Sequence, residues 1–295
     1  MDADVVEDKV IGSGLAIQQA SALLGVPAPT LRSWERRYGL PTTMRSRGGH
    51  RRYSEPELQQ LRLMRDEVAH GRRAADAALR VRLLLSGDDP AARWVTELLT
   101  VSRELRAPAI HEVLDRAEVQ LGPAATVDEV LMPALRQVGN WWAAGKCDVG
   151  EEHLTTEAVR QWLARKAVLG TGNPGPGVVL ACGPRDQHTV GLEALAALLA
   201  PHGLQTYLTG ARTPPDAVVS CVTRTASAGV VVVSHLPSHR RSTLDALKQL
   251  TSTRRPLFYA GNAFLFAGAR KGVPGTYLGE GIAAAADVIV RSVTA

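Results

Sequence analysis

The feature that most constrains the fold is a change in hydrophobic period at one short segment, GTGNPGPG, which spans 170–177. Before this segment, apolar residues recur every three or four positions, as they do along amphipathic helices. After it they form short runs, VVLAC, VVVVS and LFYAG, separated by helical stretches at 191–200, 214–228, 240–251 and 279–293. Strands that alternate with helices predict a Rossmann-like parallel sheet with crossover helices over residues 178–295, and residues 171–177 are a linker by composition.

A helical bundle is predicted for residues 88–170. Four apolar stripes with helical spacing indicate four packed helices. The stripes are Leu98, Val101 and Leu105; Val113, Leu114 and Ala117; Val127, Val130, Leu131, Leu135 and Val138; and Leu154, Ala158 and Trp162.

The pattern of residues 13–82 predicts a winged helix-turn-helix domain. Residues 1–12, which precede it, are predicted to be disordered. One helix ends at Gly25, and a second follows at once with Leu31 and Trp34 one turn apart. Arginines around a Gly-Gly turn in MRSRGGHRRYS then indicate a basic hairpin, or wing. Ser54 and Glu57 have the spacing of a capping box at the start of the next helix.

The positive charge is concentrated in this N-terminal part. The 295-residue chain has a formal net charge of +5, whereas Thr30 to Arg73 alone holds eleven Arg, no Lys and five Asp or Glu. Such a block is expected of a phosphate-binding surface, although a solvated basic helix would look similar. The candidate DNA contacts are Thr30, Arg32, Arg36 and Tyr38 on the second helix and Arg45, Arg47, His50, Arg51, Arg52 and Tyr53 on the wing.

Other functional classes have little support in the sequence. Cys147, Cys182 and Cys221 are far apart, which favours neither a disulfide framework nor a structural zinc site. We find no membrane-length apolar run, no signal-peptide pattern, and neither a nucleophile–base pair nor a glycine-rich phosphate loop. A cytoplasmic protein that is not an enzyme is therefore expected.

A D-x-H-x-x-G pattern follows the first predicted strand and contains Asp186, His188 and Gly191. Imidazole is a good ligand for transition metals, and a carboxylate on its other nitrogen fixes the tautomer. One histidine cannot close a metal site, but it can supply an axial ligand to a metal held in a macrocycle. The alternative is an ordinary strand-to-helix turn with a solvated histidine.

A second pattern, W-x9-E-H, places Trp142, Glu152 and His153 where two bundle helices join. An indole, a carboxylate and an imidazole together could stack on and hydrogen-bond a polar aromatic ligand. From spacing alone, a bundle-packing tryptophan beside a solvated Glu-His pair is the simpler interpretation.

Three resemblances join these patterns. LRSWERRYGLP followed by RGGHRRYS resembles the DNA-binding domain of MerR-family transcription regulators, which bind operator DNA as dimers. The D-x-H-x-x-G pattern, the S-x-L pattern of Ser234 and Leu236, and the turn at Gly261 and Asn262 resemble the cobalamin-binding domain of corrinoid proteins. LMPALRQVGNWW with W-x9-E-H resembles the helical cap of the CarH/LitR group of light-responsive regulators.

The second and third resemblances together imply a cofactor and a mechanism. Adenosylcobalamin would lie between bundle and sheet, with His188 below cobalt and Val138, Trp142, Glu152 and His153 on the upper side. The cofactor would order a homo-oligomer, a dimer or tetramer, that represses by occupying double-stranded operator DNA. Light would release the adenosyl group and dissociate the oligomer.

Two departures from the family pattern keep alternatives open. Light-sensing members commonly have a histidine directly after the cap tryptophan, whereas this chain has Ala143, and Asn262 replaces the second glycine of the third cobalamin motif. A regulator of the same fold that uses another corrinoid, or none, and does not respond to light is one alternative. A corrinoid methyl carrier is another, although a methyl carrier has no use for an arginine-rich winged helix.

Overall fold

Two units make up the chain, Met1–Asp89 and Pro90–Ala295. The computed structural model describes residues 14–41, 51–69, 72, 74–85, 90–143, 145–168 and 175–294. The predicted disordered N-terminus, the centre of the predicted wing and most of the predicted linker lie outside these ranges.

In the described residues of the N-terminal unit, four helices surround one apolar core. Gly25 adopts the left-handed conformation (φ 65°), which stops the first helix and lets the second begin three residues later. Tyr53 and Leu15 exchange backbone hydrogen bonds of 2.8 and 2.9 Å, so the far end of the predicted wing is anchored to the start of the unit. The helices are α1 Ile17–Leu24, α2 Ala28–Tyr38, α3 Glu55–Ala69 and α4 Ala74–Leu85.

The predicted capping interaction at the start of α3 is present in part. The Glu57 carboxylate accepts hydrogen bonds from the backbone N–H and the hydroxyl of Ser54, the latter at 2.7 Å. This holds the entry of α3 in place directly after Tyr53.

The C-terminal unit begins with the predicted helical bundle. Its third helix is extended at the start by a short helix, Pro123–Ala125, and a π-helical segment, Thr126–Leu131. The predicted apolar stripes are buried or half-buried except at Leu105, which is exposed because the first bundle helix already ends at Arg103. The bundle helices are α5 Pro90–Arg103, α6 Ala107–Leu121, α7 Met132–Ala143 and α8 Val149–Lys166.

A five-stranded parallel sheet follows, in the order β2-β1-β3-β4-β5. The three predicted strands are present, and β2 and β5 are additional edge strands that the sequence did not indicate. The strands are β1 Gly177–Cys182, β2 Gln205–Gly210, β3 Gly229–Val233, β4 Leu257–Ala260 and β5 Thr276–Tyr277. The helices are α9 Val190–Leu199, α10 Pro215–Thr225, α11 Arg240–Leu250 and α12 Ile282–Val293.

The two faces of the sheet belong to different cores. One face, which includes Leu180 and Val231, shares a continuous core with α9, α12 and the bundle, whereas the other packs under α10 and α11. The chain passes from β1 outward to β2 and then back to β3 on the other side. This order puts the topological switch point, where ligands of such sheets bind, at the carboxyl ends of β1 and β3.

Candidate functional site

Helix α2 has one buried side and one exposed basic side. Leu31 and Trp34 are buried in the core of the N-terminal unit, while Arg32 and Arg36 are exposed one helical turn apart. Thr30, near the start of the helix, is half-buried. The arrangement leaves the two arginines free to enter a groove without disturbing the core.

The other candidate DNA contacts differ in how they are placed. The Arg51 guanidinium lies 2.5 Å from the Glu35 carboxylate, whose hydrogen bond raises the pKa of Arg51. Arg52 and Tyr38 are half-buried. Tyr53 is 1% exposed and packs in the core, so its predicted role as a DNA contact is corrected to a structural one. Arg45, Arg47 and His50 lie outside the described residues.

In the C-terminal unit, Asp186 and His188 follow the carboxyl end of β1. The Asp186 carboxylate is fully buried, and its Oδ1 accepts from the backbone N–H of His188 at 2.9 Å. The same oxygen lies 2.8 Å from Nδ1 of His188, whose side chain is 57% exposed. A proton on Nδ1 is thereby favoured, which leaves Nε2 with a lone pair that can bind a metal.

The charge states of this pair follow from burial and hydrogen bonding. Burial alone would raise the pKa of the Asp186 carboxyl, but hydrogen bonds from the His188 imidazole and from the backbone N–H groups of His188 and His235, with the His235 imidazole close by, hold this pKa well below its usual range. The hydrogen bond to Asp186 raises the pKa of His188, although burial of the imidazole opposes this. Hydrogen bonding therefore favours the ionised form of this buried carboxylate.

Sequence reasoning missed His235, which follows β3 and joins this pair. Its backbone N–H donates to Oδ2 of Asp186, its Nδ1 lies 3.6 Å from that oxygen, and its ring centroid is 5.2 Å from that of His188. A histidine at the middle position of S-x-L, directly after the strand that pairs with β1, was the signal that could have revealed it.

The remaining predicted residues of the sheet domain surround the same edge. Ser234 is fully buried, and its Oγ has no hydrogen-bond partner in the described part of the chain. Leu236 and Asn262 are exposed, and a Cβ added at Gly191 would meet open space. Gly261 has φ 101°, whereas Asn262 does not have a positive φ. Asn262 thus stands at a position that does not require the left-handed conformation, so this replacement of a glycine causes no backbone strain.

The cap residues lie at the junction of α7 and α8. Trp142 is 54% exposed, while the ring of its neighbour Trp141 is covered by the Arg103 guanidinium, 5.0 Å away. Glu152 Oε2 is 3.5 Å from Nε2 of His153, whose side chain is 73% exposed. Trp142 therefore does not pack in the bundle core, whereas His153 is solvated, as the simpler interpretation of W-x9-E-H expected. Val138 is buried within the bundle.

Comparison with known proteins identifies the family. The family "MerR HTH family regulatory protein" matches residues 15–78, and "B12 binding domain" matches residues 91–165. The HTH-type transcriptional repressor CarH of Myxococcus xanthus is 30% identical over 267 residues, which cover 84% of this chain and 88% of CarH. The chain belongs to the CarH-type family of MerR transcription regulators.

Further comparisons agree with this CarH-type assignment. The repressor CarA of Myxococcus xanthus is 32% identical over 211 residues, covering 69% of this chain and 70% of CarA. A monomethylamine corrinoid protein of Methanosarcina barkeri has the same fold in 68% of this chain and 98% of its own, with a TM-score of 0.52 at 13% identity.

The chain is thus a DNA-binding MerR-type transcription regulator with a B12-binding domain. The predicted fold class is confirmed, and the homologous repressors support a regulator rather than an enzyme. In the described ranges, no helix has the length and apolar character that crossing a membrane requires.

Proposed function

We propose that this chain is an operator-binding repressor controlled by adenosylcobalamin, which it holds between the bundle and the carboxyl end of the sheet. His188 is the lower ligand of cobalt. The proposal rests on the Asp186–His188 pair, because a buried carboxylate on Nδ1 prepares Nε2 of an accessible imidazole for a metal at the topological switch point.

The residues around this imidazole suit a large ligand with a polar tail. The buried, unpartnered Oγ of Ser234 can donate to or accept from a ligand atom, and the open space at Gly191 leaves room beside the helix start. Trp142, Glu152 and His153 present an accessible indole and a polar pair that would contact the upper face of the cofactor.

The bound cofactor would supply a light-sensitive cobalt–carbon bond. Trp142 and Glu152 would contact the upper ligand. Loss of that ligand would remove these contacts and favour a different arrangement of the cap. The cofactor would control operator binding if the oligomer that binds the operator, a dimer or tetramer, binds the intact cofactor more tightly than the dissociated chains do.

Ala143 favours a second candidate function. An alanine directly after Trp142 cannot replace the upper ligand on cobalt, as the histidine commonly found there could. A regulator of the same fold that senses the presence of a corrinoid and does not respond to light is therefore the alternative. Membership in a repressor family argues against a methyl carrier.

A single set of samples tests the proposal. The full chain is reconstituted with adenosylcobalamin in the dark, and its absorption spectrum and gel-filtration volume are measured before and after green light. We expect retained cofactor and a change in both measurements on illumination. A retained spectrum with an unchanged volume would favour the light-independent alternative, and failure to retain any corrinoid would contradict the proposal.

His188→Ala is the decisive variant for the lower ligand. We expect it to change the visible spectrum and to weaken cofactor retention at least about tenfold, since even groups behind a metal ligand contribute that much. The matched control is His202→Ala, which removes an exposed imidazole of the same domain. Identical spectra and affinities for the wild type and His188→Ala would exclude the lower-ligand role.

A further inference from the structure

The ends of β1 and β3 bring two imidazoles to opposite oxygens of one buried carboxylate. We propose that, in the corrinoid-free chain, Asp186, His188 and His235 bind a divalent transition-metal ion such as Zn²⁺. The inference does not depend on the corrinoid function, because it concerns a bare ion and includes His235.

The geometry is close to that of a metal site. One ligand atom from each of the three residues lies within 4.8 Å of the others, and Nδ1 of His235 is 3.6 Å from Oδ2 of Asp186. Ligand atoms around a tetrahedral zinc ion with bonds of about 2.0 Å are roughly 3.3 Å apart. Small rotations of the two rings therefore suffice, and the backbone can stay in place.

The carboxylate is already fixed. The backbone N–H groups of His188 and His235 donate to its two oxygens, one from each side. A carboxylate has about four acceptor positions, so both hydrogen bonds can remain while it binds an ion. Because the backbone holds this ligand rigidly, little conformational entropy is lost on metal binding.

Electrostatics favours a cation at this point. Asp186 is fully buried, and within the described ranges its only ion-pair partners are the imidazoles of His188 and His235. When both imidazoles are neutral, the buried negative charge has no full positive partner, which is unfavourable. Nδ1 of His235 is also buried without a hydrogen-bond partner, so a metal ion would satisfy both groups.

The donor set indicates the class of ion. Two imidazoles and one carboxylate suit zinc and neighbouring transition metals better than Mg²⁺ or Ca²⁺, which prefer oxygen ligands. Cys182 is nearby, but its buried thiol donates a hydrogen bond to the carbonyl oxygen of His188, so it is not one of the three proposed ligands. Water completes the coordination through the exposed side of His188.

A functional consequence follows from the shared histidine. His188 cannot bind a bare ion and a corrinoid cobalt at the same time, so the two ligands compete. Free zinc would therefore slow the loading of the regulator with its corrinoid.

The test uses the full, untagged chain, purified without corrinoid, treated with a chelator and titrated with Co²⁺. We expect one ion per chain, with the intense visible absorption of four-coordinate Co²⁺, and displacement of that ion by Zn²⁺. His235→Ala should weaken Co²⁺ binding at least about 100-fold, which exceeds the usual effect of losing a group that only supports a ligand. The control His202→Ala, which removes an exposed imidazole, should bind Co²⁺ as the wild type does.

Two results would overturn the proposal. One is a wild-type chain that gives no Co²⁺ spectrum, and the other is a His235→Ala chain that binds Co²⁺ as tightly as the wild type. His235→Gln, which keeps a polar side chain of similar size, replaces His235→Ala if circular dichroism shows that the alanine variant is unfolded.

Competition separates this proposal from the corrinoid function. Zn²⁺ should slow the uptake of adenosylcobalamin by the wild type, and a chelator should restore it, whereas His235→Ala should take up the cofactor at the same rate with and without Zn²⁺. A chain that binds Co²⁺ but retains no corrinoid would support the metal site and contradict the corrinoid function. A chain that retains the corrinoid but does not bind Co²⁺ would support the corrinoid function and contradict the metal site.

Discussion

Gly261 lies where the backbones after β3 and β4 come closest. Its φ is 101°, and a Cβ built there would be 2.2 Å from the carbonyl oxygen of Ser234. That carbonyl also accepts a hydrogen bond from Ala263 at 3.1 Å, so it cannot move away freely. The absence of a side chain at Gly261 thus keeps Ser234 in position at the switch point.

Gly261→Ala should therefore destabilise the C-terminal unit severely. Backbone strain at a glycine-only conformation and overpacking each cost about 1–3 kcal/mol, so we expect a loss on the order of 3 kcal/mol in denaturant unfolding. Gly139→Ala is the matched control. Gly139 lies in α7 with open space at its Cβ position, so alanine there should stabilise the helix by about 0.5–1 kcal/mol. Equal stabilities of the two variants would contradict the argument.

At the level of elements, the start of α12 is held by a residue of the bundle. Asp128, in the π-helical segment, accepts hydrogen bonds from the backbone N–H groups of Ile282 at 2.9 Å and Ala283 at 3.1 Å. A carboxylate at a helix N-terminus satisfies donors that lack partners and interacts favourably with the helix dipole. This cap joins two parts of the C-terminal unit that are 154 residues apart.

Asp128→Ala should cost about 1 kcal/mol of unfolding free energy and speed hydrogen exchange in the first turn of α12. The matched control is Asp148→Ala, which removes a cap within the bundle, where Asp148 accepts from the N–H of Glu151 at 2.8 Å. We expect a similar loss of stability there, but no faster exchange in α12. Unchanged exchange in Asp128→Ala would show that this cap does not hold the helix.

Elements with strong, local patterns were predictable from the sequence. β1 and β3 are buried on both faces and therefore read as continuous apolar runs. β2 lies at the sheet edge, half-exposed and rich in polar residues, so it gives no such run. Helical spacing does not separate Leu23 from Leu24, yet neighbours on a helix point about 100° apart, so Leu24 is buried in α1 while Leu23 is 55% exposed.

The candidate site was predictable where its residues share one local motif, as Asp186 and His188 do in D-x-H-x-x-G. His235 was not, because its approach to Asp186 depends on the pairing of β1 with β3, which brings together residues 49 positions apart. Tyr53 was misjudged for a related reason. Its burial comes from the bridge to Leu15, a contact between distant segments that no local pattern reveals.

At the scale of the whole molecule, the positive charge and the proposed corrinoid ligands belong to different units of the chain. The segment from Thr30 to Arg73 has more positive charge than the chain as a whole, so the remainder is close to neutral. Arg32 is exposed on the N-terminal unit, while Asp186 and His188 belong to the C-terminal unit. DNA affinity and corrinoid affinity should therefore respond to different substitutions.

Arg32→Ala tests this separation. The variant should weaken binding to DNA that the wild type selects from a random pool by about 1–3 kcal/mol if Arg32 reads a base, and it should leave corrinoid retention unchanged. If Arg32 contacts only phosphate, binding to all sequences should weaken alike and the salt dependence should fall by about one charge. Fluorescence anisotropy at two salt concentrations distinguishes these cases. The control variant Arg291→Ala, which removes an exposed arginine from α12, should bind DNA as the wild type does. Equal losses of DNA affinity in both variants would mean that net charge, and not the exposed side of α2, governs DNA binding.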